Sequence, residues 1–338
     1  MSNKVIIDVD AMGGENSPKK IIEGIKISLK SNKNNFFNLF GQEDLINKEI
    51  NNNEMLKKYT KIFNVKNFIK DDESPLNAAK RGKETSMWRA IESQQEGKSN
   101  ISLSAGNTGA LLVISRLILN TIKGISKPAL AGLWPNQNGM NIVLDLGANI
   151  ECNEKNLIDF ASMGSILFKS LFADGNPKVA LLNIGLEENK GNDVIKKAFQ
   201  ILKSKKSSDF KFCGYIEGNQ IMDGDVDVII TDGFTGNIAL KTAEGTANFI
   251  TKNLKNSLNK LSILFSYRSL KLFKEKLDPR KYNGAIFLGL QSPVVKSHGS
   301  TDGIGFANSI EMCHKIVRAN LIEKIKSHLI NVDDTTEQ

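Results

Sequence analysis

The sequence predicts an α/β protein of parallel strands joined by crossover helices. Three observations carry that expectation. Short runs rich in β-branched residues recur, each run ends in glycine or a small polar residue, and each is followed by a segment with helical spacing of its apolar positions. With 338 residues, 40% of them hydrophobic, the chain can bury a large core, as one large domain or as two intertwined lobes.

Strands are predicted at 4–9, 36–40, 101–104, 141–145, 178–184, 211–216 and 226–231. Helices are predicted between and after them, over 18–30, 75–95, 108–119, 156–172, 193–203 and 236–258. Pro18 and Pro75 suit first helical turns, where a missing N–H costs little. The Asn- and Lys-rich stretch 51–58 reads as surface. No solenoid period or low-complexity linker interrupts the pattern, so residues 1–331 are expected to form one large α/β unit, with a polar, frayed tail over 332–338.

The formal charge of +8 and a pI near 9.1 favour an acidic partner, whether nucleic acid, anionic membrane, acidic protein or phosphorylated small molecule. Cys152, Cys213 and Cys313 fit neither a disulfide framework nor a zinc spacing, which suits a reducing cytoplasm. Asp8 and Asp10 interrupt the first apolar segment, so no signal peptide is expected, and no apolar run is long enough to span a bilayer. The segment 253–276 differs from the rest, mixing Lys255, Lys260, Arg268, Lys271 and Lys274 with Leu261, Phe265, Leu272 and Phe273. It suits a membrane surface or an acidic partner, and equally a core or dimer helix with a solvated basic edge.

Four junctions solve one geometrical problem. SAGNTGALL from Ser104, TDGFTGNIAL from Thr231, DLGANIEC from Asp145 and SHGSTDGIG from Ser297 each place glycine and small polar residues at a strand end. In a parallel sheet such ends face one crevice, where close backbone approach and the positive end of the next helix attract an anion. A lone junction of this kind is commonly only a turn; several together point to phosphate. Neither GxGxxG nor the Walker pattern GxxxxGK[ST] occurs, which weakens dinucleotide and ATP readings. DAMGGENSP adds paired Gly13 and Gly14, with Asp10 and Glu15 able to bond loop amides or a ligand.

Within the predicted helix 75–95, KRGKETSMW sets Arg81 beside Thr85, with Lys83 and Ser86 nearby, as a basic hydroxyl face for phosphate or an ordinary solvated one. Lys190, in the polar loop NIGLEENKGN, is a mobile point charge suited to phosphate or simply a surface lysine. His298, His314 and His328 form no metal spacing, and only His298 sits in a glycine-rich loop, where ordering the loop competes with proton transfer. Such a scarcity of nucleophiles fits chemistry in which a bound anion itself attacks.

Taken together, DAMGGENSP, RGKETSMW, SAGNTGALL, KPALAGLWP, LDLGANIEC, KVALLNIGLEENKGN, GYIEGNQIMDGDVDVIITDGFTGNIALKTAEG and SPVVKSHGS run in order through nearly the whole chain. In them the sequence resembles the bacterial phosphate acyltransferases of phospholipid synthesis (the PlsX family). That resemblance implies a three-layer α/β/α, Rossmann-like fold of the isocitrate and isopropylmalate dehydrogenase kind. It implies transfer of a long acyl chain from acyl carrier protein to inorganic phosphate, giving acyl phosphate for glycerol 3-phosphate acylation. It further implies a homodimer with no cofactor beyond the pantetheine of the carrier protein, no metal and no nucleic-acid partner, in the cytoplasm and peripheral to the membrane that holds the next acyltransferase.

By the same resemblance Lys190 and Asn237 are the expected catalytic groups, Lys190 offsetting negative charge and Asn237 donating a hydrogen bond. Asp10, Gly13, Gly14, Lys83, Ser86, Ser104, Gly106, Asn107, Thr108, Asp232, Gly233, Thr235 and His298 are expected to line the substrate pocket. Lys255, Lys260, Arg268, Lys271 and Lys274 become expected contacts with the acidic carrier protein and the membrane. The sequence departs from the family pattern at Glu15, where aspartate is usual, at Thr85, where serine is usual, and in NGAIFLGLQSP around Gly284. Rival readings are a short-chain phosphotransacylase using coenzyme A, a decarboxylating dehydrogenase lacking an evident set of metal carboxylates, and a catalytically silent scaffold for carrier protein and membrane.

Overall fold

The computed structural model describes residues 4–172, 175–204, 209–257 and 278–336. Its strands are β1 (Val5–Asp10), β2 (Asn35–Gly41), β3 (Thr60–Asn64), β4 (Ile101–Ser104), β5 (Ala129–Pro135), β6 (Met140–Leu144), β7 (Lys178–Asn183), β8 (Lys211–Glu217), β9 (Val228–Ile230), β10 (Ala285–Leu288) and β11 (Val294–Lys296). The helices are α1 (Lys19–Ser31), α2 (Glu43–Ile50), α3 (Glu54–Tyr59), α4 (Pro75–Lys80), α5 (Ser86–Gln95), α6 (Thr108–Leu119), α7 (Glu154–Leu171), α8 (Asp193–Ser204), α9 (Gly233–Ser257), α10 (Gly303–Arg318) and α11 (Leu321–Thr336). The seven predicted strands all form, with ends moved by at most two residues; β3, β5, β10 and β11, and helices α2, α3, α10 and α11, were not anticipated.

Strands with unbroken apolar runs need cover on both faces. Alternation along β6, β7, β9 and β10 sends Ile142, Leu144, Val179, Leu181, Val228, Ile230, Ile286 and Leu288 into one buried layer. Their neighbours Val143, Ala180, Leu182, Ile229 and Phe287 enter the other. Helices on each side complete the three-layer α/β/α arrangement.

The sheet corrects one expectation. It is a single 11-stranded sheet in the order β3-β2-β1-β4-β11-β10-β5-β6-β9-β7-β8, but it is not parallel throughout. Strands β3, β2, β1, β4 and β11 run one way, and β6, β9, β7 and β8 run the other. Between these halves β10 is antiparallel to β11 and β5, and β5 is antiparallel to β6. The strand-end loops therefore form two groups, and a helix must bring them together.

The helix expected over 75–95 is broken. Gly82 packs so closely on Trp88 that a Cβ there would fall 2.9 Å from the ring. Thr85 is extended, donates to Gly82 O at 2.6 Å and caps α5 by accepting from Trp88 N at 3.4 Å. Arg81 pairs with Glu73 instead of lying beside Thr85. The C-terminal stretch expected to fray continues as helix to Thr336.

Candidate active site

The first group of loops closes around a buried carboxylate. Asp10 Oδ1 accepts from Ser86 Oγ at 2.6 Å and Met12 N at 3.3 Å, and Oδ2 accepts from Ser104 Oγ at 2.7 Å. Ser104 Oγ in turn accepts from Gly106 N at 3.0 Å. Burial pushes the Asp10 pKa up, opposed by the two serine hydroxyls. These hydroxyls are thus committed to the loop scaffold. A Cβ on Gly13 would meet Gly106 N at 2.6 Å, so the first and second glycine loops touch backbone to backbone.

The third loop of this group follows β11. Glu15 N donates to Gly299 O at 3.0 Å, and His298 N donates to Asn283 Oδ1 at 2.9 Å. His298 Nδ1 accepts from Ser300 N at 3.3 Å. Burial, with the nearby lysines, lowers the His298 pKa, which favours neutral imidazole. Two lysines that sequence reasoning passed over also meet here. Lys20 Nζ donates to Gly299 O, and Lys296 Nζ donates to Ser297 O and, at 3.5 Å, to Ala105 O. The signal was present in VVKSHG, where a lysine ends an apolar strand, but its partner Lys20 stood in what looked like an ordinary amphipathic helix.

The second group surrounds Asp145, whose carboxylate accepts from Leu130 N, Gly147 N, Ala148 N, Asn149 N and Asn149 Nδ2 at 2.7 to 3.2 Å. This fixes the loop on which Asn237 rests. Asn237 Nδ2 donates to Leu146 O at 3.2 Å, leaving its second N–H free to point elsewhere. Gly147, at φ +126°, gives the room: a Cβ would lie 2.9 Å from Asn237 Nδ2. Asp232 caps α9, accepting from Thr235 N at 2.8 Å and Thr235 Oγ1 at 2.9 Å, while Gly233 N donates to Asn149 O at 2.7 Å. Lys190 is exposed, at the end of a loop held by Asn183 Nδ2, which donates to Gly185 O and Lys190 O.

Helix α9 bridges the groups. Asn237 and Lys241 are one turn apart on one side, about 6 Å along the axis. Lys241 Nζ donates to Glu244 Oε2 at 2.8 Å and lies 3.5 Å from His298 Nε2. A cavity of about 480 Å³ opens beside the second group, lined by Ile150, Cys152, Asn192, Ile195, Asp232 and Phe234 among others. Burial pushes the Cys152 thiol up to about 12, so it stays protonated and is a poor nucleophile.

Asp10, Gly13, Gly14, Ser86, Ser104, Gly106 and His298 therefore come together, and Asp232, Gly233, Thr235 and Asn237 form the neighbouring cluster. Asn107 is a cap, accepting from Ala110 N at 3.0 Å and donating to Asp71 O and Glu73 O, with Thr108 opening α6 beside it. Lys83 is exposed in a 3₁₀ turn, apart from these bonds. Lys255 falls in the last turns of α9, while Lys260, Arg268, Lys271 and Lys274 lie outside the described residues. Among the described residues no group of three or more His, Cys, Asp or Glu could hold a metal, and no helix is long and apolar enough to cross a membrane.

The α/β/α architecture is shared with solved structures of low sequence identity. The chain superposes on a phosphotransacetylase from Streptococcus pyogenes with a TM-score of 0.63 at 15% identity, covering 96% of this chain and 95% of that one. A branched-chain phosphotransacylase from Enterococcus faecalis gives 0.59 at 16%, covering 93% and 99%. Sequence is more specific. The family model described as fatty acid synthesis protein matches residues 5–324. Phosphate acyltransferase from Pelagibacter ubique is 60% identical over 334 residues, 97% of this chain and 100% of that protein. The enzyme of the same name from Rhodospirillum rubrum is 40% identical over 98% of this chain and 96% of its own. The chain belongs to this family, the phosphate acyltransferases.

Proposed function

We propose that the protein transfers a long-chain acyl group from acyl carrier protein to inorganic phosphate. A phosphate oxygen attacks the thioester carbonyl carbon, the C–S bond breaks, and the carrier thiol leaves as acyl phosphate forms. Phosphate is already an oxyanion, so the protein has to hold it against the carbonyl and stabilise the charge that develops on the carbonyl oxygen. Lys190 and Asn237 are assigned those electrostatic roles. The observation that carries the reading is the 60% identity over 97% of the chain to a phosphate acyltransferase. The protonated Cys152 and the Ser86 and Ser104 hydroxyls, both bonded to Asp10, agree with attack by a bound anion rather than by a side chain.

The basic apolar segment 253–276 is assigned to the carrier protein and to the inner membrane surface. Support comes from its alternating cations and large apolar residues and from the helix that leads into it, whose Phe234, Ile238 and Phe249 are more than half exposed. A second copy of the chain and the membrane acyltransferase that consumes the product are the further partners of this reading, in the cytoplasm.

The deciding experiment incubates purified protein with palmitoyl carrier protein and phosphate and traps product with hydroxylamine. Phosphate-dependent acyl hydroxamate is expected. Turnover of acyl-coenzyme A in preference to acyl carrier protein would replace the donor, and carrier binding without hydroxamate would leave a scaffold. Arg268→Glu with Lys271→Glu should raise the carrier-protein KM at low salt; an unchanged KM would remove that docking assignment.

A further inference from the structure

We infer that Lys20 and Lys296 form the subsite for the attacking phosphate, taken as inorganic phosphate in its dianionic form. The inference rests on the reading that phosphate is the acyl acceptor, and it assigns that anion to residues other than Lys190 and Asn237.

Lysine is almost never fully buried unless it is paired. Here two lysines are, with Lys20 only 3% and Lys296 only 8% exposed. Among the described residues neither forms an ion pair; their acceptors are the carbonyls of Gly299, Ser297 and Ala105. Carbonyl dipoles offset only part of the cost of removing an ammonium from water, and two such charges near one another add repulsion. Burial lowers the pKa of both; Lys20 lowers that of Lys296 further, while Asp71 and Asp10 only partly oppose the fall at each. A fold that wanted only packing here would place methionine or leucine. A compact dianion between the ammonium groups would supply the missing countercharge.

The surroundings suit a small anion. The carbonyls that hold the lysines belong to the loops after β4 and β11, and the glycine loop after β1 closes the third side. Gly14, at φ +79°, sits so tightly that a Cβ would lie 2.7 Å from Lys20 Nζ and 2.8 Å from Gly299 O. Helix α6 begins at Thr108, so its positive end lies at the loop that follows β4. The other charged groups that act on the pair are Asp10, Asp71, Glu15 and Lys241, and both lysines act on His298, which Glu244 also faces. Lys241, whose charge acts on Lys296, stands one turn from Asn237 on α9. A pantetheine phosphodiester shares the chemistry of phosphate. It carries a single charge and two ester arms, whereas two facing ammonium groups match a dianion.

The test uses the full chain and inorganic phosphate. Calorimetric titration of phosphate without acyl donor should show binding in the wild type, weakened at least ~10-fold in Lys20→Met and in Lys296→Met, as loss of a charged hydrogen bond predicts. The phosphate KM should rise similarly while the carrier-protein KM holds. Melting temperatures in phosphate-free buffer should stay level or rise, and Lys20→Gln and Lys296→Gln repeat the comparison with a polar side chain. In the wild type itself, phosphate binding near pH 8 should be accompanied by proton uptake, read from titrations in buffers of different ionisation enthalpy. Unaltered phosphate affinity in folded variants, or wild-type binding with no proton uptake, would overturn the assignment. A rise in carrier-protein KM alone would give the site to the pantetheine phosphate and also overturn it. Lysine-dependent phosphate binding without any acyl transfer would uphold the subsite and defeat the proposed reaction instead.

Discussion

Lys241 Nζ lies 3.5 Å from His298 Nε2, joining a helix that starts in one half of the sheet to a loop that ends a strand of the other. Glu244 Oε1 stands 3.9 Å from the same imidazole nitrogen. The contact links the two groups of loops.

Its charge balance is testable. Burial lowers the His298 pKa first, Lys241, Lys296 and Lys20 lower it further, and Glu244 opposes them. Lys241→Gln removes a repelling charge and frees Glu244 from its competing partner. His298 should then titrate at higher pH in an NMR titration of its ring protons. An unchanged or lower midpoint would show that Lys241 does not act on the imidazole.

Lys190→Ala and Asn237→Ala should each reduce turnover by at least ~100-fold, as removal of a single oxyanion donor does. The hydroxamate assay measures it. Near-normal turnover in a folded variant would end that residue's assignment.

Gly147→Ala should damage catalysis through Asn237. The added methyl would sit 2.9 Å from Asn237 Nδ2 at a backbone φ of +126° that favours glycine. Turnover should fall well below wild type, and the double variant with Asn237→Ala should be no slower than Asn237→Ala alone, because both act on one amide. Additive losses would separate the two residues.

Stability should depend on Lys296 with a definite sign. Burial, then repulsion from Lys20, lowers its pKa from 10.5 to about 8. The unfolded chain holds this proton to higher pH, so the penalty is complete below about pH 8 and fades as pH climbs toward the unfolded value. A shift of that size corresponds to something on the order of 3 kcal/mol. In urea unfolding without phosphate, Lys296→Met should be the more stable protein at pH 7, and its advantage should shrink between about pH 8 and 10. An equal deficit at both ends would mean that the lysine serves the fold.

Much of this was legible in the chain itself. The strand at Ile101–Ser104 and the helix at Thr108–Leu119 form where their patterns place them; the glycine loops after β1, β4 and β11 meet one another, and those after β6 and β9 form a second cluster. Asn107 and Asp232, expected at the substrate pocket, also cap helices, because an Asx oxygen at a helix start satisfies backbone N–H groups, and Thr235 donates both its N–H and its hydroxyl to Asp232. Strands β10 and β11 escaped notice because a short turn and not a helical segment joins them, so the strand-then-helix pattern is missing there.

The sequence by itself determined the alternation of strands and helices, the glycine junctions and the family, since each is written in local spacing or contiguous motif. Only the tertiary structure decided that the sheet's halves run in opposite directions, that α9 spans them, and that Lys20 reaches Gly299 across 279 residues of chain to become a buried cation. The physical reason is that periodicity is a property of neighbours along the chain. The solvation and countercharge of an ammonium group depend on segments that only folding brings together.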